Sequence, residues 1–191
     1  MTIKETFAEH SEVMAEASRL LPDVLERIAH EVHECFRRGG TLLACGNGGS
    51  ASDAEHLVAE LVGRFRDERR ALPAVALAGG MATITAVAND YGYESVFRRQ
   101  VEALARAGDV LIAISTSGNS PNVLSAVHAA KERACRVIAL TGGSGGRLAK
   151  EADVAITAPS SVTARIQEVH ILCIHAIVES VDRHLRAEQA P

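Results

Sequence analysis

His56 and Glu60 stand four residues apart, directly after the run Cys45-Gly46-Asn47-Gly48-Gly49-Ser50. On a helix that spacing puts an imidazole and a carboxylate about 40° apart around the axis and one turn apart along it. As a bare surface pair they would add only about 0.3 kcal/mol. The glycines in front of them give the pair a second meaning. Residues 41–45 are a short apolar run suited to a buried strand, and helical spacing begins at Ser50, so the glycines form a strand-to-helix turn. Such a turn aims several backbone N–H groups at one spot beside a positive helix end, so an anionic or polyhydroxylated occupant is expected. A tight βα connection that binds nothing is the plainer alternative.

A second polar loop, Ser115-Thr116-Ser117-Gly118-Asn119-Ser120-Pro121, also joins an apolar strand to a helix. Its four hydroxyls, with Gly118 for the turn and Pro121 at the first helical position, can surround a phosphate with O–H and N–H donors. An ordinary serine-rich helix cap is the competing reading. No P-loop lysine is present, which excludes a nucleoside-triphosphate cradle. Two such loops at the carboxyl edge of one sheet mark where open α/β folds bind ligands.

The elements that must position these loops follow from periodicity. Strands are expected at 41–45, 74–78, 109–114, 136–140 and 154–157, alternating with helices at 50–65, 82–88, 94–107 and 120–134 and a short helix after the flexible turn 141–146. Five βα units with short loops mean a parallel sheet covered on both faces. Two helices precede the first strand, split at Pro22 and stopped by Gly39-Gly40, with Thr2 and Glu5 forming a capping box. A helical layer over residues 1–40 exceeds what one sheet needs and suggests a partner subunit. The last helix, 163–185, carries one stripe of Ile166, Val169, Cys173, Ala176, Ile177 and Val181 and a second of Ile171, Ile174 and Val178. One stripe is expected on the sheet and the other against a symmetry-related subunit.

The totals set outer bounds. The 191 residues are 47% hydrophobic and 23% charged, which fits a single domain over 1–191, with an α/β core at 41–191. A net charge of −4 argues against a nucleic-acid backbone as main partner. Cys35, Cys45, Cys135 and Cys173 form no CxxC pair and read as reduced core residues of a cytoplasmic protein. No stretch reaches the roughly 20 apolar residues of a membrane span, and the start lacks an apolar signal core.

The segments CGNGGSASDAEHLVAELVGRF, NDYGYESVF, ISTSGNSPNVLSAV and ARIQEVHILCIH, in this order over nearly the whole chain, resemble the bacterial phosphoheptose isomerases of the sugar-isomerase (SIS) superfamily. The resemblance implies a flavodoxin-like three-layer fold with a five-stranded parallel sheet. It also implies a cytoplasmic homotetramer with sites at subunit contacts. The activity implied is conversion of sedoheptulose 7-phosphate to D-glycero-D-manno-heptose 7-phosphate, for nucleotide-activated heptose precursors. By the same resemblance Asn47, Gly48, Gly49, Ser50, Asn89 and Asp90 hold the sugar, with Glu60 and Gln167 also at the substrate. Ser115, Thr116, Ser117 and Ser120 take the phosphate. His56, Glu60, Gln167 and His175 match the zinc ligands, one ion per subunit, with Glu60 and His175 the proposed base and acid. Gly79-Gly80-Met81 departs from the family pattern, which is more polar there.

Ketose–aldose interconversion moves a proton between C1 and C2 through an enediol, so it needs a base, an acid and a stabiliser of the oxyanion. If a metal holds both Glu60 and His175, acid–base work by the same groups requires ligand exchange. Gln167 and His175 lie about 12 Å apart along a helix, so they lean together or one comes from a neighbouring chain. His170 is expected to be structural. The other class of reading is a non-catalytic SIS protein, such as a phosphosugar sensor or a replication-initiation adaptor. The adaptor pattern lacks the acidic residue and the last histidine, whereas this chain has Glu60 and His175.

Overall fold

The computed structural model describes residues 2–189; Met1, Ala190 and Pro191, the ends of the expected 1–191 unit, lie outside the described residues. Two helices come first, α1 (Ile3–Leu20) and α2 (Pro22–Arg37). The expected capping box is present: Glu5 N–H donates to Thr2 Oγ1 at 3.2 Å and Thr2 N–H to Glu5 Oε2 at 2.6 Å. Pro22 sits at the first turn of α2, where its missing N–H costs nothing.

The core alternates β1 (Leu42–Cys45), α3 (Gly49–Val62), β2 (Ala74–Ala76), α4 (Met81–Tyr91), a 3₁₀ turn (Tyr93–Ser95) and α5 (Arg98–Leu104). There follow β3 (Val110–Ile114), α6 (Pro121–Glu132), β4 (Arg136–Gly142), α7 (Gly146–Glu151), β5 (Val154–Ala158) and α8 (Thr163–Gln189). All neighbouring strands pair in parallel, in the order β2-β1-β3-β4-β5. This is the flavodoxin-like order, which reverses direction between β1 and β3. The glycine turn follows β1 and the serine loop follows β3, so the strand pairing alone brings the two loops side by side.

Strand periodicity divides the interior into two cores. Leu42, Ala44, Val110, Ile112 and Ile114 face α1, α2, α3 and α8. Leu43, Cys45, Leu111 and Ala113 face the other way, toward α5, α6 and α7. Among the boundaries that differ from the pattern, two have identifiable reasons. α3 stops at Val62 because Gly63 leaves helical geometry. The expected helix 94–107 is broken after the 3₁₀ turn and ends at Leu104, and the Asp109 carboxylate accepts from the N–H of Arg106 and of Thr41, each at 2.8 Å. α8 runs on to Gln189.

The larger correction concerns the second stripe of α8. Ile174 and Val178 are fully buried within the single chain, because α8 packs against both α2 and α3. Apolar residues left exposed include Leu172 (52%) on α8 and Phe7 (69%) on α1. Among the described residues no helix is long and apolar enough to cross a membrane. Ile174→Ala is expected to lower stability by about 2–5 kcal/mol in urea unfolding followed by circular dichroism. The loss should be the same at every protein concentration; a loss that grows on dilution would instead place Ile174 between subunits.

Candidate active site

The three glycines after β1 have different physical reasons. Gly48 adopts φ +56°, which side chains disfavour. A Cβ on Gly46 would lie 2.5 Å from the Ser50 carbonyl oxygen, so the turn closes on itself. A Cβ on Gly49 would lie 2.3 Å from Gln167 Nε2, so α3 begins directly under α8. Three amides at the end of this turn are used within it. Ser50 N–H donates to Asn47 O at 3.0 Å, and Ala51 and Ser52 both donate to Gly48 O, so these three groups close the turn. Ser50 itself is buried.

Asn47 leads from the turn to the rest of the site. Its amide exchanges two hydrogen bonds with the buried amide of Asn122, at 2.9 and 2.8 Å, and its Oδ1 also accepts from Tyr93 Oη at 2.9 Å. Asn122 stands in the first turn of α6, so the pair locks the glycine turn to the serine loop. Asn89 and Asp90, expected at the sugar, lie exposed on α4 and hydrogen-bond to each other at 2.8 Å. Of the NDYGY segment it is Tyr93 that reaches Asn47. Neither Tyr93 nor Asn122 was singled out from sequence, although both lie inside the quoted motifs. Met81, in the segment that departs from the family pattern, is 77% exposed.

In the serine loop, Ser115 Oγ lies 2.9 Å from Ser120 Oγ and 3.5 Å from Ser117 Oγ, and Ser117 Oγ accepts from Asn119 N–H at 3.2 Å. Thr116 is half-buried beside them. Gly118, at φ +65°, would bring a Cβ within 2.0 Å of Gly145 O, and one on Gly146 would meet Ser117 O at 2.6 Å. The run 141–146, expected to be a flexible turn, is therefore closely packed: Thr141 and Gly142 complete β4, and the later glycines support the serine loop from below.

The third group lies where α3 meets α8. His56 Nε2 is 3.1 Å from Glu60 Oε1 and 3.0 Å from His175 Nε2. One ligand atom from each of the three residues falls within 4.8 Å of the others. Two imidazole nitrogens at that separation cannot both carry protons. Either they share one, or both lone pairs face a cation. Two nitrogens and a carboxylate oxygen suit zinc and similar divalent ions, and Gln167 lines the same opening as Ser52, Asp53 and His56. The His175 ring stacks on Phe65, with centroids 5.4 Å apart. Asp53, one turn before His56, has its pKa pushed up to about 6 by burial.

The 12 Å between Gln167 and His175 is matched by α3. Gln167 lies over Gly49 and His175 against His56, so the two helices run side by side in the same direction and a single chain brings His56, Glu60 and His175 together, with Gln167 two turns earlier on α8. His170 is a core residue. It is completely buried, its Nε2 bonds Thr141 O at 2.9 Å, and burial lowers its pKa.

Comparison with known proteins decides the family. The SIS domain family profile matches residues 6–142, which include both loops and the His56–Glu60 helix. The phosphoheptose isomerase of Shewanella denitrificans is 48% identical over 186 residues, 96% of this chain and 95% of that protein. The solved phosphoheptose isomerase of Neisseria gonorrhoeae is 47% identical with a TM-score of 0.90, over 95% and 97% of the two chains. That of Francisella tularensis is 41% identical with a TM-score of 0.93, over 96% and 100%. The chain belongs to the phosphoheptose isomerase family. The adaptor alternative is not favoured, since a phosphoheptose isomerase is the relative found over nearly full length. In this isomerase the Asn47–Asn122 pair is the joint between the two loops. Asn122→Ala leaves Asn47 without that partner and should cost about 1–3 kcal/mol by thermal or urea unfolding. An unchanged unfolding midpoint would show the joint to be dispensable.

Proposed function

We propose that this isomerase converts D-sedoheptulose 7-phosphate to D-glycero-D-manno-heptose 7-phosphate, supplying heptose for nucleotide-activated precursors. The observation that carries the reading is the meeting of Glu60, His56 and His175 beside the glycine turn. Glu60 takes the proton from C1 of the open-chain ketose and returns it to C2. His175 moves the hydroxyl proton between O1 and O2, which balances the reaction without any redox partner. Asn47, Gly48, Gly49, Ser50, Asn89 and Asp90 are assigned to the sugar. Ser115, Thr116, Ser117 and Ser120 are assigned to the phosphate; the clustered hydroxyls there support that division.

Zinc is the proposed metal, held by His56, Glu60, Gln167 and His175. When bound it supplies positive charge next to the carbonyl and enediolate oxygens. The protein is proposed to be a cytoplasmic homotetramer with one SIS domain over 1–191. The apolar groove lined by Ala17, Leu21, Leu25, Val169, Leu172 and Ala176 supports assembly through α1, α2 and α8.

Glu60→Gln keeps size and hydrogen bonding but removes the base, so aldose formation from sedoheptulose 7-phosphate should fall by about 10²- to 10⁴-fold. Partial recovery on adding zinc would assign Glu60 mainly to metal ligation, and no recovery at normal metal content to proton transfer. Near-parent turnover in both Glu60→Gln and His175→Ala would refute the assigned roles. Ser117→Ala combined with Ser120→Ala should raise KM strongly, and unphosphorylated sedoheptulose should be a poor substrate for the parent protein. Equal handling of both sugars would remove the phosphate assignment.

A further inference from the structure

The segment 63–70 leaves the end of α3 and is fastened along α8. Arg66 pairs with Glu179, Arg69 with Asp182, and Asp67 with Arg186, so three successive turns of α8 are held. The first and last of these pairs are exposed and contribute little. The middle one is different, because the Arg69 and Asp182 side chains are only 6% and 5% exposed.

Arg69 Nε donates to Asp182 Oδ1 at 2.7 Å. Its Nη2 donates to Glu60 O at 2.7 Å, and its Nη1 to Leu61 O at 2.8 Å, Arg70 O at 3.0 Å and Gly63 O at 3.3 Å. One guanidinium therefore takes up carbonyls that the end of α3 leaves without an intrahelical partner and ties them to α8. Asp182 follows His175 by seven residues, two turns later on the same face of the helix. The contacts between the helices thus keep one register: Gly49 with Gln167, His56 with His175, and the end of α3 with Asp182.

We propose that Arg69 and Asp182 are positioning residues, which set the separation of α3 and α8 and so hold His56 and Glu60 against His175. The inference rests on the roles proposed above for those three groups. A buried ion pair is a weak source of stability compared with apolar packing. This one is attached to the carbonyl of Glu60 itself. Lysine could not replace it, since a single ammonium cannot bridge a carboxylate and several carbonyls in fixed directions.

The test uses the full chain with Asp182→Glu, which keeps the pair but moves its attachment by one methylene, and Asp182→Asn, which removes the charge. Each is measured for melting temperature, zinc affinity by chelator competition, and kcat and KM on sedoheptulose 7-phosphate. Asp182→Glu should fold with little change in melting temperature. Its zinc affinity should drop by about 10- to 100-fold and its kcat by up to about 10²-fold, with KM nearly constant because the serine loop is untouched. Asp182→Asn should show the same losses with a lower melting temperature. Zinc affinity and kcat equal to the parent's in a folded Asp182→Glu would overturn the proposal and leave the pair a purely structural one. A parent that binds zinc but does not turn over this sugar phosphate would sink the functional reading alone, and the zinc titration would still decide the positioning claim.

Discussion

Between α3 and α8 there is no space for a side chain at position 49, where a Cβ would sit 2.3 Å from the Gln167 amide. That close approach is the constraint on which the rest of the site depends. It lets Ser50, Ala54, Leu57 and Leu61 turn one face of α3 into the core that also buries Ile174 and Val178 of α8. Burying each large apolar side chain in this seam contributes about 1.5–3 kcal/mol. The gain offsets the cost of bringing His56, Glu60 and His175 together at its edge, where like groups face one another and a proton or a cation must sit between them.

A second close approach supports the serine loop. Gly118 meets the backbone of Gly145 and Gly146, where any side chain would collide, so the serine loop rests on a base of main chain. Its hydroxyls are then held by one another, by the N–H of Asn119 and by the start of α6. Because β1 and β3 are adjacent, the loop and the glycine turn share one edge, and Asn47 and Asn122 join them directly. The His56–Glu60–His175 group of one helix pair and the hydroxyls of one loop are thereby held on the same side of the sheet.

Much of this was legible in the residue order because the signals are local. The apolar runs of β1 and β3, the glycine turn, the serine loop and the i, i+4 pair His56–Glu60 each lie within a few residues. Contacts across the chain were not legible. Asn47 and Asn122 are 75 residues apart, and nothing in either motif announces that their amides pair. The stripe of Ile174 and Val178 read as a subunit contact because periodicity reports that a face is covered, not by what; α2 and α3 cover it. The same limit hid the parallel run of α3 beside α8, which sets Gln167 over Gly49 and His175 against His56. Arg69 lay in a charged loop indistinguishable by composition from a solvated one.

The central proposal is that Glu60 carries a proton between C1 and C2 while His175 moves the hydroxyl proton between O1 and O2. It is tested most directly by running the reaction on sedoheptulose 7-phosphate in D₂O and locating deuterium in the aldose by mass spectrometry and NMR. Transfer through an enediol with a solvent-exchanging carboxylate places deuterium at C2, and the incorporation should vanish with the activity in Glu60→Gln. An aldose formed at full rate by Glu60→Gln with no deuterium at C2 would mean that hydrogen passes directly from C1 to C2 as a hydride, and would contradict the account.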